Sequence, residues 1–368
     1  MIRVLIVDDM QTIRSVLHII IESDPELTVV GEAGSGEEAL AFCRKFRPDI
    51  VTMDINMPGM GGYEAIRQIM NETPCPIVVI TGIESQPLIE VSFKAIALGA
   101  LTVLSTPRGP SPDSDEAKSL VRQIKTMAAV KVIRRALWMQ STSETLNRGQ
   151  YLLVSPSKAT SLFKLQKAAH LVAIGISTGG PPALQTILSG LSSDFPLPIV
   201  IVQHISQGFI SGLASWLSNT TPIPCKVAKQ AETIQPGTAY FAPNNIHLTV
   251  MGNGKLWLDA SEPVGGHRPS VNILFESVAR NYGAKAIGIL LTGMGQDGAW
   301  GLKAMHQTGA YTIAQNEASS VIFGMPKAAI ELNAVEEVLD LSQIATRLKS
   351  LTENIPKQKE APSDGREG

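Results

Sequence analysis

The 368-residue sequence has little cysteine and little net charge, and each of these properties excludes some classes of protein. Its three cysteines, Cys43, Cys75 and Cys225, lie far apart and form no C-x-x-C pair. They provide no metal framework, and a sparse, odd set of cysteines points to a reducing compartment. The formal net charge of −2 gives no electrostatic reason to expect a nucleic-acid partner.

Long apolar runs are also missing. No stretch approaches the roughly 20 residues that a membrane-spanning helix needs. The N-terminal MIRVLIVDDM is not the pattern of a signal peptide, because two aspartates directly follow its short apolar run. We therefore expect a cytoplasmic protein with no direct membrane insertion. The chain is 17% charged and 44% hydrophobic, which favours well-buried α/β domains, and its length favours two.

Residues 1–107 alternate short apolar runs with amphipathic segments, which predicts a five-stranded parallel sheet with helices between the strands. The predicted strands are residues 2–7, 27–30, 49–53, 76–80 and 101–104, and one predicted helix covers residues 86–97. A doubly wound sheet of this kind binds its ligands at the carboxyl ends of the strands. The polar residues at those ends are therefore the first place to look for a site.

Acidic residues follow two of these strands. Asp8 and Asp9 follow the first strand, Asp54 follows the third, and Thr81 closes the fourth. Each aspartate alone is more simply explained as a cap of a helix or turn. As a set, three converging carboxylates favour a site for a hard cation such as Mg²⁺, with one carboxylate able to attack a phosphoryl group.

Residues 1–107 resemble the receiver domains of response regulators. The segments that match are VLIVDDM, DINMPGMGG, VVITG and GALTVLSTP. The resemblance implies a flavodoxin-like fold, Asp54 as phospho-acceptor, Mg²⁺ held by Asp9 and Asp54 beside Asp8, Thr81 as the switch hydroxyl, and a histidine kinase as phosphodonor. The sequence departs from the family at three positions. Thr106 replaces the usual lysine before Pro107, Gly61 replaces an aspartate or asparagine, and Val103 replaces a frequent aromatic residue.

Residues 108–168 are predicted to connect two domains. A loop rich in proline, serine and aspartate leads to a helix with Leu120, Ile124 and Met127 on one face. Residues 141–168 are polar and broken by turn signals, so we expect a flexible linker there. The second domain is predicted at residues 169–350, and residues 351–368 form a polar tail that we expect to be disordered.

The second domain opens with LVAIGISTGG, which predicts a buried strand, a tight turn and a helix that begins with proline. Gly175–Gly179 fits G-x-S-x-G, a pattern that exposes a serine at the carboxyl end of a strand. The pattern is loose, and a phosphate-binding turn or glycines that serve packing also fit it. Taken by itself, the pattern makes Ser177 a candidate nucleophile and leaves the other two explanations open.

Two further polar residues are predicted at the same edge of this second sheet. His204 follows the strand LPIVIVQ, and Asp297 follows the strand AIGILL in a glycine-rich turn. Ser177, His204 and Asp297 could then serve as nucleophile, general base and the carboxylate that orients the base. Their order along the chain differs from that of α/β-hydrolases. Between them, residues 226–260 contain short strands and turn signals, which predicts an antiparallel insert.

The second domain is similar to the catalytic domain of the chemotaxis protein-glutamate methylesterases, the CheB family. GISTGGP, VQHIS, YFAPNNIHL, HRPSVNILFESVA, LLTGMGQDGA and FGMPKAA match in family order. The resemblance implies a doubly wound, mainly parallel α/β domain in which Ser177, His204 and Asp297 form the triad and no cofactor is needed. It also implies an oxyanion donor at the Met294 N–H, with Thr178 and His267 in support. Asn272 stands where the family usually has aspartate.

By the same resemblance the substrates are methyl-accepting chemotaxis receptors. The implied reaction hydrolyses glutamate methyl esters and deamidates selected glutamines, under control of the receiver, for sensory adaptation. Two other classes of function remain. One is a catalytically silent docking module joined to a receiver. The other is a nucleotide-binding protein that uses GISTGG as a phosphate turn, although no G-x-x-x-x-G-K-[ST] segment occurs.

Overall fold

The computed structural model describes residues 1–82, 93–96, 98–107, 109–130, 132, 169–353 and 355. The chain divides into two compact units, Met1–Phe163 and Lys164–Gly368. Within the described residues, no helix is long and apolar enough to cross a membrane. The predicted linker at residues 141–168 and most of the predicted tail lie outside the described residues.

The first unit is built on a five-stranded parallel sheet of order β2-β1-β3-β4-β5, as predicted. Its strands are β1 (Ile2–Val7), β2 (Leu27–Ala33), β3 (Ile50–Met53), β4 (Ile77–Thr81) and β5 (Thr102–Ser105). Its helices within the described residues include α1 (Gln11–Glu22), α2 (Gly36–Phe46), α3 (Gly62–Glu72) and α4 (Asp115–Ala128). Residues 93–96 are helical, and most of the predicted helix 86–97 lies outside the described residues.

Helix α4 belongs to the core of the first unit, although the sequence placed it in the connector beyond residue 107. Its side chains Ala117, Leu120, Ile124 and Met127 are buried with residues of β1, β4 and α1. The Ser114 hydroxyl caps the helix by accepting the Ala117 N–H at 3.1 Å. A helix with such an apolar face gains free energy by covering a sheet rather than remaining in a solvated connector.

The second unit contains a seven-stranded parallel sheet of order β14-β13-β12-β6-β7-β9-β8. Its strands are β6 (Leu171–Ile176), β7 (Ile199–Gln203), β8 (Cys225–Val227), β9 (Ala239–Phe241), β12 (Ala286–Leu290), β13 (Tyr311–Gln315) and β14 (Glu337–Leu339), and β10 (His247–Val250) with β11 (Leu256–Asp259) forms a separate antiparallel hairpin. Its helices are α5 (Gly180–Ser189), α6 (Ile210–Thr220), α7 (Val271–Tyr282), α8 (Ala299–Gln307), α9 (Met325–Glu331) and α10 (Leu341–Thr352).

The antiparallel insert is smaller than the sequence indicated. Strands β8 and β9 join the main sheet in parallel, and only β10 and β11 form an antiparallel pair. All three residues of β9 are buried, so it is a strand covered on both faces, as parallel strands usually are. The hairpin lies on α7, where the Ser277 hydroxyl accepts the Val250 N–H at 3.0 Å.

The sheet of the second unit has its topological switch at β6. The chain continues from β6 to β7 on one side, whereas β12 pairs with β6 on the other. In open α/β sheets, the crevice beyond the carboxyl ends of the strands at such a point is the usual ligand site. Ser177, His204 and the loop that contains Asp297 all follow strands at this point of the sheet.

Candidate active site

Ser177 lies in a tight turn between β6 and α5. Its N–H donates to the Thr292 carbonyl at 3.0 Å, and its own carbonyl accepts the Gly180 N–H at 2.9 Å. The turn is thus held both to the loop after β12 and to the first residue of its helix. The serine side chain is partly exposed, as a nucleophile that must meet a substrate requires.

His204 follows β7, the neighbour of β6. Its N–H donates to the Ile176 carbonyl at 3.0 Å, so the candidate base and the candidate nucleophile follow paired strand ends. The imidazole Nε2 lies 2.9 Å from Asp297 Oδ2, close enough for an ion pair but not aligned as a hydrogen bond. Nδ1 is therefore the ring nitrogen left for Ser177. Within the described residues Nδ1 is buried and has no hydrogen-bond partner.

Asp297 is a buried carboxylate surrounded by donors. Oδ1 accepts the Ser270 hydroxyl at 2.8 Å and the Asn272 N–H at 3.1 Å, and Oδ2 accepts the Val271 N–H at 2.7 Å. Burial alone would raise the pKa of Asp297. Three effects outweigh burial: the contact with His204, the charge of that imidazole, and the hydrogen bonds from Val271 and Ser270. Together they hold the pKa of Asp297 below its usual value. Asp297 is consequently ionised at neutral pH.

Helices α7 and α8 cap each other at this site. Asp297 precedes α8 but accepts two N–H groups from the first turn of α7. In return, the Asn272 Oδ1 of α7 accepts the N–H groups of Gly298 and Gly301 at 3.1 and 2.8 Å. Asn272, which replaces the aspartate usual in the resembling family, thus satisfies the start of α8. A helix N-terminus also favours the negative charge of Asp297.

His267 lies against the candidate base. The two imidazoles of His204 and His267 are stacked, with ring centroids 4.3 Å apart and planes 4° from parallel. A two-residue turn places His267 there, because Val264 and His267 exchange backbone hydrogen bonds around Gly265 and Gly266. The stack holds the plane of the base while its two nitrogens remain available to Asp297 and to Ser177.

The same three side chains could be mistaken for a metal site. Ligand atoms of His204, His267 and Asp297 lie within 4.8 Å of one another. Imidazole lone pairs lie in the ring plane, so two stacked rings cannot both direct a nitrogen at one ion. Both Asp297 oxygens, moreover, already accept hydrogen bonds. The donor set therefore fits a catalytic role better than a zinc site.

The loop after β12 passes directly beside the serine. A Cβ on Gly293 would lie 2.7 Å from the Ser177 Cβ, so only glycine allows this approach. Met294, the predicted oxyanion donor, follows Gly293, and its side chain is 48% exposed. Thr178, the residue after the serine, accepts the Thr292 hydroxyl on its carbonyl at 2.9 Å. The backbone next to the predicted oxyanion donor, Met294, and that of the predicted supporting residue Thr178 thus lie close to Ser177.

A second candidate site lies in the first unit, where carboxylate oxygens of Asp8, Asp9 and Asp54 lie within 4.8 Å of one another. Burial, opposed by the Met10 N–H and reinforced by the charges of Asp54 and Asp9, raises the pKa of Asp8 to about 6. Burial also raises the pKa of Asp54, and the Asp9 charge adds to the effect. These oxygens are the ligands that Mg²⁺ prefers, and their repulsion favours a cation.

The residues that replace the usual receiver positions lie around this cluster. Thr106 donates its N–H to the Thr81 carbonyl at 3.1 Å, which fixes it beside the predicted switch hydroxyl without any cationic group. Thr81 ends β4, and Val103 is buried in β5. Gly61 is the N-cap residue of α3 and provides no side-chain cap. Arg14 lies near the cluster, and its charge opposes the rise in the pKa of Asp8.

The sequence analysis missed three residues that organise the candidate active site of the second unit. Buried Ser270 donates to Asp297, and buried His247 accepts the Ser270 N–H at 3.1 Å. Thr292 connects the serine turn to the loop at Ile322, whose N–H it accepts at 3.0 Å. Ser270 directly precedes a helix and could have been noticed as a capping residue. The contacts of His247 and Thr292 have no local sequence signal.

Comparison with known proteins matches both units. Residues 172–348 match the family model described as CheB methylesterase, and residues 4–110 match the response regulator receiver domain. The chain is 45% identical over 360 residues to "Protein-glutamate methylesterase/protein-glutamine glutaminase 1" of Syntrophus aciditrophicus, covering 96% of this chain and 99% of that one. It is 43% identical over 358 residues to the enzyme numbered 2 of Methanospirillum hungatei, covering 96% and 99%. The crystal structure of the Thermotoga maritima CheB methylesterase catalytic domain is 38% identical, with a TM-score of 0.49, covering 50% of this chain and 100% of that one.

Proposed function

Because the chain belongs to the family of protein-glutamate methylesterases/protein-glutamine glutaminases, we propose that it hydrolyses glutamate γ-methyl esters on methyl-accepting chemotaxis receptors. It deamidates selected receptor glutamines by the same route. The observation that supports this most is the arrangement of His204, with Nε2 2.9 Å from a buried, ionised Asp297 and Nδ1 left for a serine.

Three side chains divide the proposed reaction between them. His204 Nδ1 takes the hydroxyl proton while Ser177 Oγ attacks the ester carbonyl. Asp297 stabilises the imidazolium that forms, since its donors keep it ionised. The proton then passes from His204 to the methoxy oxygen, and methanol leaves. Water, deprotonated by His204, releases the glutamate from the acyl-serine. No hydrogen bond joins Ser177 to Nδ1 in the described residues, and such bonds often tighten only when substrate binds.

The oxyanion is assigned to backbone donors around the serine. The Met294 N–H follows the loop that approaches Ser177, and the Thr178 N–H directly follows the serine. Two fixed donors would stabilise the negative charge that develops on the carbonyl oxygen. His267 supports the reaction by stacking on the base.

We also propose that the first unit is a receiver that regulates the esterase. A histidine kinase is the expected phosphodonor and Asp54 the acceptor. Asp9 and Asp54 would hold Mg²⁺ beside Asp8, and the ion would offset the charge of the carboxylates and of the phosphoryl oxygens. Thr106 contributes a hydroxyl but no ammonium group to the phosphoryl group. The esterase reaction itself uses no cofactor. The receptors and the kinase require a cytoplasmic location, and the three cysteines, which form no disulfide, agree with it.

The proposal is tested by methanol release from methylated receptor fragments. We expect the wild type to release methanol and Ser177→Ala to release none above the uncatalysed rate. Ser192→Ala is the matched control, because Ser192 follows the far end of α5 and its hydroxyl contacts Asp194. Full release by Ser177→Ala, or none by the wild type, would favour the silent docking module instead.

A further inference from the structure

Gln203, the last residue of β7, forms a bridge between the two central residues of the candidate active site. Its Nε2 donates to the Ser177 carbonyl and to the His204 carbonyl, each at 2.8 Å. In the parallel register Gln203 lies opposite Ile176, so its carboxamide sits between the ends of the two strands. One amide group thus uses both of its hydrogens on the backbones of the nucleophile and the base.

The orientation of this carboxamide is fixed by chemistry. Both partners are carbonyl oxygens, so only the NH₂ side of the amide can face them. The Oε1 atom then lies against Gly180, where it is buried and has no hydrogen-bond partner within the described residues. A buried acceptor without a partner costs stability. The cost is consistent with a group retained for its effect on the site.

Gly180 is the residue that makes room for the bridge. A Cβ on Gly180 would overlap the Oε1 and Cδ atoms of Gln203. The second glycine of GISTGG is therefore explained by the glutamine of VQHIS, a motif on the next strand. The two segments are complementary: one contains the amide and the other leaves the space for it.

We infer that Gln203 is a positioning residue that sets the distance between Ser177 and His204. It is only 3% exposed and lies behind the turn, so it acts through the two backbones rather than by touching substrate. Without the bridge, the two turns are still joined by the His204 N–H bond to Ile176, but each carbonyl can move independently. A displacement of about 1 Å between reacting groups lowers a rate about 100-fold.

Gln203→Met tests the inference, because methionine has a similar length and no donor. We expect kcat for methanol release to fall roughly 10- to 100-fold with KM unchanged within about twofold. The inference rests on the proposed function only for the choice of substrate. A fluorophosphonate gives an independent reading: the Ser177 Oγ–P bond forms, the P–F bond breaks, fluoride leaves and the proton passes to His204. Labelling should slow by a similar factor even if the receptor is not the substrate.

Asn281→Leu is the matched control. The Asn281 amide also donates to two backbone carbonyls, those of Val250 and Ser277 at 3.0 and 2.9 Å, but it joins α7 to the β10–β11 hairpin away from the serine. We expect this variant to lose stability and to keep the wild-type labelling rate. Equal slowing in both variants, or wild-type labelling by Gln203→Met, would overturn the inference.

Two further measurements keep the test decisive if Gln203→Met does not fold. A protonated glutamic acid can donate one hydrogen bond and an ionised one none, so the labelling rate of Gln203→Glu relative to the wild type should fall as pH rises. A ratio that does not change with pH contradicts a bridging role. In the wild type, both Nε2 hydrogens of Gln203 should exchange slowly with solvent in NMR spectra, and rapid exchange would overturn the inference without any variant.

Discussion

The two candidate sites contain buried aspartates in opposite electrostatic situations. In the first unit, Asp8, Asp9 and Asp54 face one another, and burial with mutual repulsion raises the pKa of Asp8 and of Asp54. In the second unit, Asp297 is about as buried as Asp8, yet its pKa lies below the usual value because hydroxyl, amide and imidazole groups surround it. Burial alone therefore does not decide whether a carboxylate is charged.

The difference lies in what each group can stabilise. Asp297 has its donors built into the protein, so it is ready to stabilise a proton on His204 without any rearrangement. In the first unit, backbone donors such as the Met10 N–H do not offset burial and mutual repulsion, so the carboxylates gain most from a cation and a phosphoryl group supplied from outside. The arrangement around Asp297 suits a group that must always be ready for catalysis. The arrangement around Asp8, Asp9 and Asp54 suits a reversible signal.

Removing the charge of Asp297 should produce the largest effect. We expect Asp297→Asn to lower kcat for methanol release about 10³- to 10⁴-fold, because an amide does not stabilise the imidazolium. Asp340→Asn is the control, since Asp340 also caps a helix and its bond to Ser342 likewise lowers its pKa, but that helix is α10. An Asp297→Asn variant that retained a tenth of the activity would show that the two carboxylate environments do not differ in function.

Mg²⁺ should act on the first unit alone. We expect an excess of about 100 times Kd to stabilise β1 and β3 by roughly 2–3 kcal/mol, measured by hydrogen exchange, because the ion relieves the repulsion between the carboxylates. Asp54→Asn should remove most of the gain. Asp24→Asn should leave it intact, since Asp24 pairs with Lys125 elsewhere on this unit. Equal protection of β6 would contradict a specific site.

Acid should reveal the charge of Asp297 in the stability of the second unit. A pKa that is lowered on folding adds stability above the unfolded pKa, and this contribution is lost as pH falls through the folded pKa. The wild type should therefore exceed Asp297→Asn by about 1–3 kcal/mol at neutral pH, from hydrogen bonds to a charged group. The difference should shrink below about pH 4 in urea titrations. A difference that grew on acidification would reverse the sign assigned here.

Thr106→Lys introduces the lysine that receiver domains usually have before the proline that is Pro107 here. In the presence of a small phosphodonor and Mg²⁺, we expect this variant to be activated about fivefold more than the wild type, because an ammonium group can bind the phosphoryl oxygens. Thr102→Lys adds the same charge at the other end of β5 and is the control. Equal activation of all three proteins would mean that the missing lysine has no bearing on signalling.

Asn272→Asp should give the smallest effect. It places two carboxylates side by side in the second unit, as in the aspartate cluster of the first unit. A second carboxylate beside Asp297 would raise the pKa of Asp297 by repulsion, although it could still accept the N–H groups that start α8. We expect the acid limb of the kcat–pH profile to move to higher pH with little change at neutral pH. A shift to lower pH would exclude this repulsion.

The sheets could be predicted well because apolar runs and helical periodicity are local properties. The positions of Ser177, His204 and Asp297 at one sheet edge followed from the rule that parallel strands end on the same side. The structure brings His204 and Asp297 into contact, and their catalytic roles stay predictions. Strands β8 and β9 were expected to be antiparallel, because three residues give no sign of which neighbour they will pair with.

The missed features depend on contacts between distant residues. Nothing near Asp297 indicates that it caps α7 rather than α8, because this follows only from the way the two helices meet. The same holds for Gln203, whose two acceptors become neighbours only when β6 pairs with β7. Helix α4 was placed beyond the first domain because a boundary was drawn at the last strand, although its apolar face needed a sheet to cover.

Because α7 and α8 cap each other, the Asp297 carboxylate both accepts the N–H groups that begin α7 and faces His204. If the first turn of α7 frays, Asp297 loses the two N–H groups that hold it, and its neighbour His204 loses a fixed counter-charge at the same moment. Hydrolytic power and the integrity of that single turn should then disappear together on warming. The enzyme would lose its activity at a temperature at which most of its sheet is still folded.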